Sequence, residues 1–162
     1  MAEHESLDVD VLIVGGGPAG LAAAYHLRQL NKDISIAVLE KGKEIGAHII
    51  SGAVMDPRGI NELMPDWKEK GAPIENPVED DHVLFLTRNR KFGLPIVPAP
   101  LQNHGNYIIS LNKFTRWLGE QVEQSGVDIF AGFTGAELRP AASPSVSLSV
   151  VYRESFIRRQ WR

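Results

Sequence analysis

The chain of 162 residues contains no cysteine. Disulfide bonds, zinc sites built from thiolates and iron–sulfur clusters held by cysteine are therefore excluded in this sequence. Five histidines are present, but they are scattered along the chain, and their spacing does not predict a metal site.

Long apolar runs and a strong net charge are also missing. No stretch of eighteen apolar residues occurs, so no membrane-spanning helix is predicted. The formal net charge of −3 provides no basic footprint, so we expect no nucleic-acid partner. The segment Met1–Glu5 is acidic and lacks arginine, so we expect neither a secretory signal nor a mitochondrial transit peptide. The hydrophobic content of 43% is typical of a soluble globular domain.

A glycine-rich turn follows the first apolar segment. Val11 to Val14 predict a fully buried parallel strand. Gly15 permits a tight turn, Gly17 allows backbone to approach a pyrophosphate, and Gly20 allows the next helix to pack closely on the strand. The helix predicted from Gly17 to Leu30 would direct its free N–H groups at that phosphate.

An acidic residue stands at the end of the second predicted strand, Ile34–Glu40. Glu40 lies twenty residues beyond Gly20 and can accept hydrogen bonds from a ribose. A carboxylate would repel a 2′-phosphate, which disfavours NADP and leaves FAD or NAD. The pattern predicts an α/β, Rossmann-like domain whose parallel sheet carries a pocket for the ADP half of a dinucleotide.

The middle of the chain predicts shorter elements. Asp56-Pro57 is typical of a helix start, with Asp56 as the N-cap. Residues 83–109 predict a small antiparallel excursion, since prolines interrupt its strand candidates. Asn112 would cap an amphipathic helix, and Val127–Phe130 would form the next strand.

The last 24 residues differ in composition. Residues 139–162 contain five arginines and one glutamate, in contrast to the negative charge of the whole chain. We therefore divide the chain into a domain over 1–138 and an atypical basic tail over 139–162, within which Val146–Tyr152 could form one strand.

Several short motifs carry a resemblance to a known family. They are Ile45-Gly46-Ala47-His48, Ser51-Gly52-Ala53, Leu63-Met64-Pro65-Asp66-Trp67-Lys68, Gly71-Ala72-Pro73 and Asn103-His104-Gly105-Asn106-Tyr107. In this order, and together with the glycine turn, they resemble the N-terminal part of electron-transfer flavoprotein–ubiquinone oxidoreductases. The resemblance runs from about Leu7 to Leu138. The residues Ile109-Ser110-Leu111 are more similar to bacterial members than to mitochondrial ones.

The resemblance implies an FAD domain of the glutathione-reductase type. It implies electron transfer from reduced electron-transfer flavoprotein to ubiquinone at a membrane, with a [4Fe-4S] cluster elsewhere in the family that this chain cannot ligate. It assigns no catalytic acid, base or nucleophile. The cofactor-binding residues that it implies are Gly15, Gly17, Pro18, Ala19, Gly20, Glu40, Lys41, Gly46, Ala47 and His48.

The resemblance also implies an apolar surface that dips into a bilayer without spanning it. The residues that it suggests for this contact are Ile49, Ile50, Val54, Met55, Ile60, Leu63 and Met64. For a bacterial member, this corresponds to peripheral association with the cytoplasmic face of the inner membrane.

The resemblance ends near Leu138, where charge and composition also change. Family members are several times longer, so we expect a truncated chain with an incomplete sheet that does not catalyse the electron transfer by itself. Three alternatives remain open: another FAD enzyme, similar to geranylgeranyl reductases or hydroxylases; an NAD-dependent dehydrogenase; and a non-catalytic remnant that cannot hold flavin.

Overall fold

The computed structural model describes residues 7–74, 76–140 and 146–152. The described residues divide into two compact units. The first comprises those up to Ile50 and those from Thr115 onward, and the second comprises Ser51–Phe114.

The elements follow one another along the chain with short connections. In chain order they are β1 (Val11–Val14), α1 (Pro18–Leu30), β2 (Ile36–Glu40), β3 (Ala53–Met55), α2 (Arg58–Leu63), β4 (Asn76–Pro77), β5 (Leu84–Leu86), β6 (Lys91–Gly93), a 3₁₀ turn (Ala99–Leu101), β7 (Tyr107–Ile109), α3 (Leu111–Gln124), β8 (Asp128–Ala131), β9 (Phe133–Pro140) and β10 (Val146–Tyr152).

A parallel sheet of three strands forms the centre of the first unit, in the order β1-β2-β8. Val11 pairs with Ile36, and Ala37 pairs with Asp128, so β2 has a neighbour on both sides. The four residues Ile36 to Leu39 are all buried, as expected for a strand covered on both faces. The predicted parallel sheet is confirmed.

The first strand is less buried than its sequence predicts. Leu12 is 39% exposed and Val14 is 62% exposed, so the prediction of full burial is wrong for β1. Alternate side chains of a strand point to opposite faces of the sheet, and the exposed and partly buried residues of β1 alternate accordingly. The face that carries Leu12 and Val14 is open to solvent.

Helix α1 joins the two parallel strands, as predicted. It begins at Pro18, whose ring suits the first helical position because it has no N–H to satisfy. Its apolar face buries Leu21, Ala24 and Tyr25 in the core of the first unit. Helix propensity and one apolar stripe are sufficient to specify this element.

A long antiparallel hairpin follows β8. Strand β9 pairs with β10 from Phe133 opposite Tyr152 to Pro140 opposite Val146, with an irregularity at Ser149/Val150. The strand predicted at Val146–Tyr152 is therefore present. Residues 141–145 and 153–162 of the predicted basic tail lie outside the described residues.

The second unit is built from small antiparallel sheets, which confirms the predicted excursion. Strand β7 lies between β3 and β4, and β5 pairs with β6 in a separate hairpin. Helix α2 begins at Arg58, so its N-cap is Pro57, and the prediction of Asp56 as the N-cap is wrong. Asp56 Oδ1 accepts the Arg58 backbone N–H at 3.0 Å. Pro65 follows directly after Met64 and precludes continuation of the helix.

The core of the second unit contains two residues that the resemblance suggested for membrane contact. Ile60 is 5% exposed and Met64 is 1% exposed. Both belong to the core and leave no surface to offer to a bilayer. Trp67 is buried in the same unit, where its Nε1 donates to Asn61 Oδ1 at 2.7 Å and its ring meets Tyr107 edge-on at 6.1 Å.

Helix α3 begins two residues earlier than predicted. Leu111 is its first residue, so Asn112 lies within the first turn and is not the N-cap. The predicted apolar face is confirmed, since Trp117, Leu118 and Val122 are buried. Thr115 is also fully buried on this helix.

Candidate cofactor-binding site

The glycine turn lies between β1 and α1, at the carboxyl end of the first strand. The Gly15 N–H donates to the Leu39 carbonyl at 2.7 Å, which continues the parallel pairing into the turn. Gly15 has φ +113°, a conformation that side chains with a Cβ rarely adopt. Gly15 is therefore required by the backbone, as its place in the motif predicts.

Two glycines of the turn differ in what surrounds them. A Cβ on Gly20 would overlap the Gly15 carbonyl oxygen and approach Ile13 Cγ2 to 3.2 Å, so α1 and β1 can approach this closely only at a glycine. A Cβ on Gly17 would meet nothing within 4 Å. Gly20 thus serves packing, whereas Gly17 leaves space open in front of the helix.

The N-terminus of α1 has the features of an anion site. Gly17 is the N-cap and provides no side-chain hydrogen bond, and the first turn contains no acidic residue. The first backbone bond of the helix joins the Leu21 N–H to the Gly17 carbonyl at 3.0 Å, so the N–H groups of Ala19 and Gly20 lack an intrahelical partner. With the positive end of the helix dipole and the open space at Gly17, these groups fit a phosphate.

Glu40 lies at the end of β2, beside the glycine turn. Its Oε2 accepts the Gly16 N–H at 3.0 Å, and its Oε1 accepts the Gly42 N–H at 2.5 Å. The side chain is 14% exposed. Because a carboxylate oxygen has two lone pairs, each oxygen can accept a further bond from a ligand hydroxyl. Glu40 therefore links two backbone segments and keeps capacity for a ribose.

The loop after Glu40 returns towards that residue. Gly46 is buried with φ +83°, and Ala47 is exposed. His48 Nδ1 lies 3.9 Å from Glu40 Oε1, and the imidazole is about half exposed. Lys41 is exposed beside them. The structure thus places the second group of predicted residues on one loop next to the glycine turn.

Ile45 fills the space between this loop, the glycine turn and α3. A Cβ on Gly16 would overlap Ile45 Cδ1, and a Cβ on Gly119 would lie 3.1 Å from Ile45 Cγ2. The side chain of Ile45 therefore packs against two glycines from distant parts of the sequence. This contact sets the separation between the loop and the turn.

Three residues of this arrangement were not among the predicted site residues: Gly16, Gly42 and Ile45. The positions of Gly16 and Gly42 next to the motif and to Glu40 could have indicated a backbone role. Nothing in the sequence indicated that Ile45 would meet Gly119, because they are far apart along the chain.

Arg28 holds the far end of α1 in place. Its Nη1 donates to the carbonyls of Lys32 and Ile34 at 2.7 and 2.8 Å. Its Nε and Nη2 donate to those of Ser125 and Gly126 at 3.1 and 2.5 Å. The guanidinium thereby ties α1 to both turns that lead into β2 and β8.

The start of β1 is joined to β2 by a similar polar contact. Asp10 Oδ2 accepts the Ser35 N–H at 2.7 Å and the Ser35 hydroxyl at 2.8 Å. The backbone bond first, and then the hydroxyl bond, hold the pKa of Asp10 below its usual value. These bonds favour the ionised carboxylate.

The remaining residues suggested for membrane contact are distributed over both units. Ile50 is 87% exposed and Val54 is 51% exposed, whereas Ile49, Met55 and Leu63 are partly buried. No helix within the described ranges is long and apolar enough to cross a bilayer. The same part of the chain has no cluster of three or more His, Asp or Glu side chains that could hold a metal ion.

A family model matches the region of the site. It is described as an NAD(P)-binding Rossmann-like domain and matches residues 13–83. This range covers the glycine turn, α1, β2 and the loop after Glu40. The match agrees with the predicted fold class.

Two curated proteins are identical to this chain at about half of the aligned residues. Over 139 residues the chain is 52% identical to the mitochondrial electron transfer flavoprotein–ubiquinone oxidoreductase of Dictyostelium discoideum, covering 83% of this chain and 23% of that protein. Over 144 residues it is 50% identical to the probable electron transfer flavoprotein–ubiquinone oxidoreductase of Acinetobacter baylyi, covering 84% of this chain and 25% of that protein. The near-equal identities do not separate bacterial from mitochondrial members.

The fold is shared with solved flavoenzymes. The flavin-dependent monooxygenase PieE, solved in complex with FAD and substrate, superposes with a TM-score of 0.69 at 20% identity, over 94% of this chain and 28% of that one. At this identity the likeness shows the Rossmann-like fold alone. The chain spans about a quarter of the length of the curated relatives, and over that span its resemblance to the electron transfer flavoprotein–ubiquinone oxidoreductases is confirmed.

Proposed function

We propose that this chain provides the ADP-binding part of an FAD site in a flavoenzyme of the electron transfer flavoprotein–ubiquinone oxidoreductase type. The observation that carries the proposal is the identity of about half of the aligned residues to proteins of that name, over more than four-fifths of this chain. The geometry of the turn supports it, because the residues present fit a dinucleotide.

The glycine turn would hold the pyrophosphate at the start of α1. Gly17 leaves the approach open, and the N–H groups of Ala19 and Gly20 would donate to the phosphate. Pro18 fixes the first helical residue. Glu40, already held by Gly16 and Gly42, would accept the ribose hydroxyls, and its charge disfavours a 2′-phosphate.

The loop at 41–48 would lie along the cofactor beyond the ribose. Lys41, Ala47 and His48 are exposed there, and Gly46 supplies the left-handed turn that brings the loop back to Glu40. When bound, FAD supplies the electron-transfer chemistry, and the protein supplies its position and electrostatic surroundings. No acid, base or nucleophile of this chain is needed for that reaction.

The partners follow from the names of the relatives. We propose that the complete protein takes electrons from electron transfer flavoprotein and passes them to ubiquinone. Since ubiquinone is a lipid-soluble quinone, this reaction requires contact with a membrane surface. The location that we propose is peripheral, at the bacterial inner membrane.

The exposed apolar side chains support such a contact. Ile50 and Val54 remain candidates from the original set, with partial contributions from Ile49, Met55 and Leu63. A larger exposed apolar group lies on the hairpin β5–β6 and the segment after it. Its members are Leu84, Phe85, Leu86, Phe92, Leu94 and Ile96. A group of exposed apolar side chains close together is typical of a surface that binds a protein or a membrane.

The test is direct binding of the cofactor. We expect residues 1–162 to bind FAD, seen as quenching of flavin fluorescence on titration, and to bind NADP much more weakly because of Glu40. NAD serves as the comparison ligand. A folded protein, verified by circular dichroism, that binds no FAD would contradict the proposal, and preferential binding of NAD would favour a dehydrogenase.

A further inference from the structure

The hairpin β5–β6 combines exposed apolar side chains with a cationic turn. Phe85 and Leu86 are 65% and 69% exposed, and Ile96, shortly after the hairpin, is 77% exposed. Phe85 pairs with Phe92 across the two strands. The strands of this hairpin thus present apolar side chains to solvent.

The turn of the hairpin contains three basic residues. The Thr87 N–H donates to the Arg90 carbonyl at 2.8 Å, and Thr87 Oγ1 accepts the Arg90 N–H at 3.1 Å. Arg88 therefore stands at the tip, Arg90 ends the turn, and Lys91 is the first residue of β6. All three are exposed, and none takes part in an ion pair recorded within residues 7–74, 76–140 and 146–152.

The surroundings of the turn in the sequence contain no acidic residue. No Asp or Glu occurs from His82 to Gly119, although the whole chain has 20 of them and a net charge of −3. The nearest preceding acid, Asp81, is engaged by Asn103, whose backbone N–H donates to its Oδ2 at 2.6 Å and whose Nδ2 approaches its Oδ1 at 3.2 Å. The positive charge of the turn is therefore a local property that opposes the charge of the chain.

We propose that Arg88, Arg90 and Lys91 bind anionic lipid headgroups, so that the hairpin selects negatively charged membrane surfaces. This inference rests on the proposed membrane contact and adds its lipid specificity. The apolar strands favour a lipid surface over an acidic soluble protein, because aromatic and aliphatic side chains lie beside the cations. An interface of that composition gains from both apolar burial and attraction to anionic lipids.

The expected effect is large enough to measure. A basic residue near an anionic surface strengthens binding by roughly fivefold, so loss of all three would weaken it by about a hundredfold. The experiment measures sedimentation of residues 1–162 with phosphatidylcholine vesicles, with and without phosphatidylglycerol. Wild-type protein should prefer the anionic vesicles and be released by salt, which screens exposed charges.

The decisive variant is Arg88→Gln/Arg90→Gln/Lys91→Gln, which should lose the preference for anionic vesicles. The matched control, Lys32→Gln/Lys68→Gln/Lys113→Gln, removes the same charge from exposed lysines elsewhere and should keep most of the preference. A second variant, Phe85→Ser/Ile96→Ser, should weaken binding to both kinds of vesicle. Circular dichroism verifies that each variant is folded.

The outcomes separate the two proposals. Equal wild-type binding to both vesicles, or an unchanged preference in the turn variant, would overturn the headgroup assignment and leave the membrane contact standing. No binding to either vesicle would overturn both. Tight binding of soluble polyglutamate without vesicle binding would assign the turn to an acidic protein instead. None of these results depends on flavin, so failure of the cofactor proposal remains distinguishable.

Discussion

Glu40 accepts the backbone N–H of Gly16 at 3.0 Å, which joins the end of β2 to the turn between β1 and α1. The other carboxylate oxygen accepts the Gly42 N–H. The residue predicted to hold a ribose therefore also holds the backbone that would surround the phosphate. A substitution at this position should affect both the fold and the ligand.

The first prediction concerns Glu40→Ala. We expect it to weaken FAD binding by about 1–3 kcal/mol, because the ribose loses an acceptor and the turn loses its support. Glu40→Gln keeps one oxygen acceptor and should lose less. Fluorescence titration with FAD is the measurement, and an affinity equal to that of wild type in Glu40→Ala would refute the assignment.

A second prediction compares two glycines of the turn. Gly20→Ala should destabilise the fold by about 1–3 kcal/mol, because its Cβ overlaps the Gly15 carbonyl. The gain in helix propensity, at most about 1 kcal/mol, does not offset this overlap. Urea unfolding followed by circular dichroism measures the change.

Gly17→Ala is the matched comparison. Gly17 has φ −80° and open space at its Cβ, so the fold should tolerate alanine. The added methyl group occupies the approach to the helix N-terminus, so FAD binding should weaken by about 1–3 kcal/mol. Equal loss of stability in both variants would show that the two glycines do not have separate roles.

The third prediction concerns Arg28. Arg28→Ala removes four donations to backbone carbonyls and should lower the free energy of unfolding by about 2 kcal/mol. Arg28→Lys should restore little, because an ammonium group cannot reach both turns in the geometry of the guanidinium fork. Urea unfolding provides the measurement.

Arg116→Ala serves as the control for that prediction. Arg116 makes an exposed ion pair with Glu44 at 3.2 Å, and pairs of this kind contribute less than about 1 kcal/mol. A loss in Arg116→Ala as large as that in Arg28→Ala would show that the carbonyl contacts have no special importance.

The fourth prediction concerns acid stability. The pKa of Asp10 in the folded state lies below its usual value of 3.8, owing first to the Ser35 N–H and then to its hydroxyl. The stabilisation is therefore present above about pH 3.8 and is lost as the pH falls through the folded-state pKa. Asp10→Asn should be less stable than wild type at neutral pH and should approach it in acid. A constant difference between the two in urea titrations across this range would contradict the prediction.

The fold of the first unit was largely predictable from local patterns. The apolar run Val11–Val14, the glycine turn and the helix to Leu30 occupy consecutive residues, so spacing alone indicates a strand, a turn and a crossover helix. The exposure of Leu12 and Val14 was not predictable, because it depends on what packs against that face of β1 in the tertiary structure.

The residues of the candidate site were predictable where their role depends only on neighbours close in the sequence. The roles of Gly15 and Gly20 follow from backbone conformation and close packing, and both are consistent with the structure. The contact between Ile45 and Gly119 could not be anticipated, since it joins residues separated by most of α3 and the second unit. The burial of Ile60 in α2 and of Met64 directly after it likewise depended on which face of this segment met the core.

The sequence by itself determined the order of the first strand, turn and helix, the position of the acidic residue and the absence of cysteine chemistry. These features depend on short spacings and on composition, which are properties of the linear chain. Only the tertiary structure decided that Glu40 supports Gly16, that Ile45 packs against Gly119 and that the hairpin β5–β6 exposes its apolar side chains. Those relationships depend on long-range packing, where the neighbour of a side chain is set by the approach of distant segments.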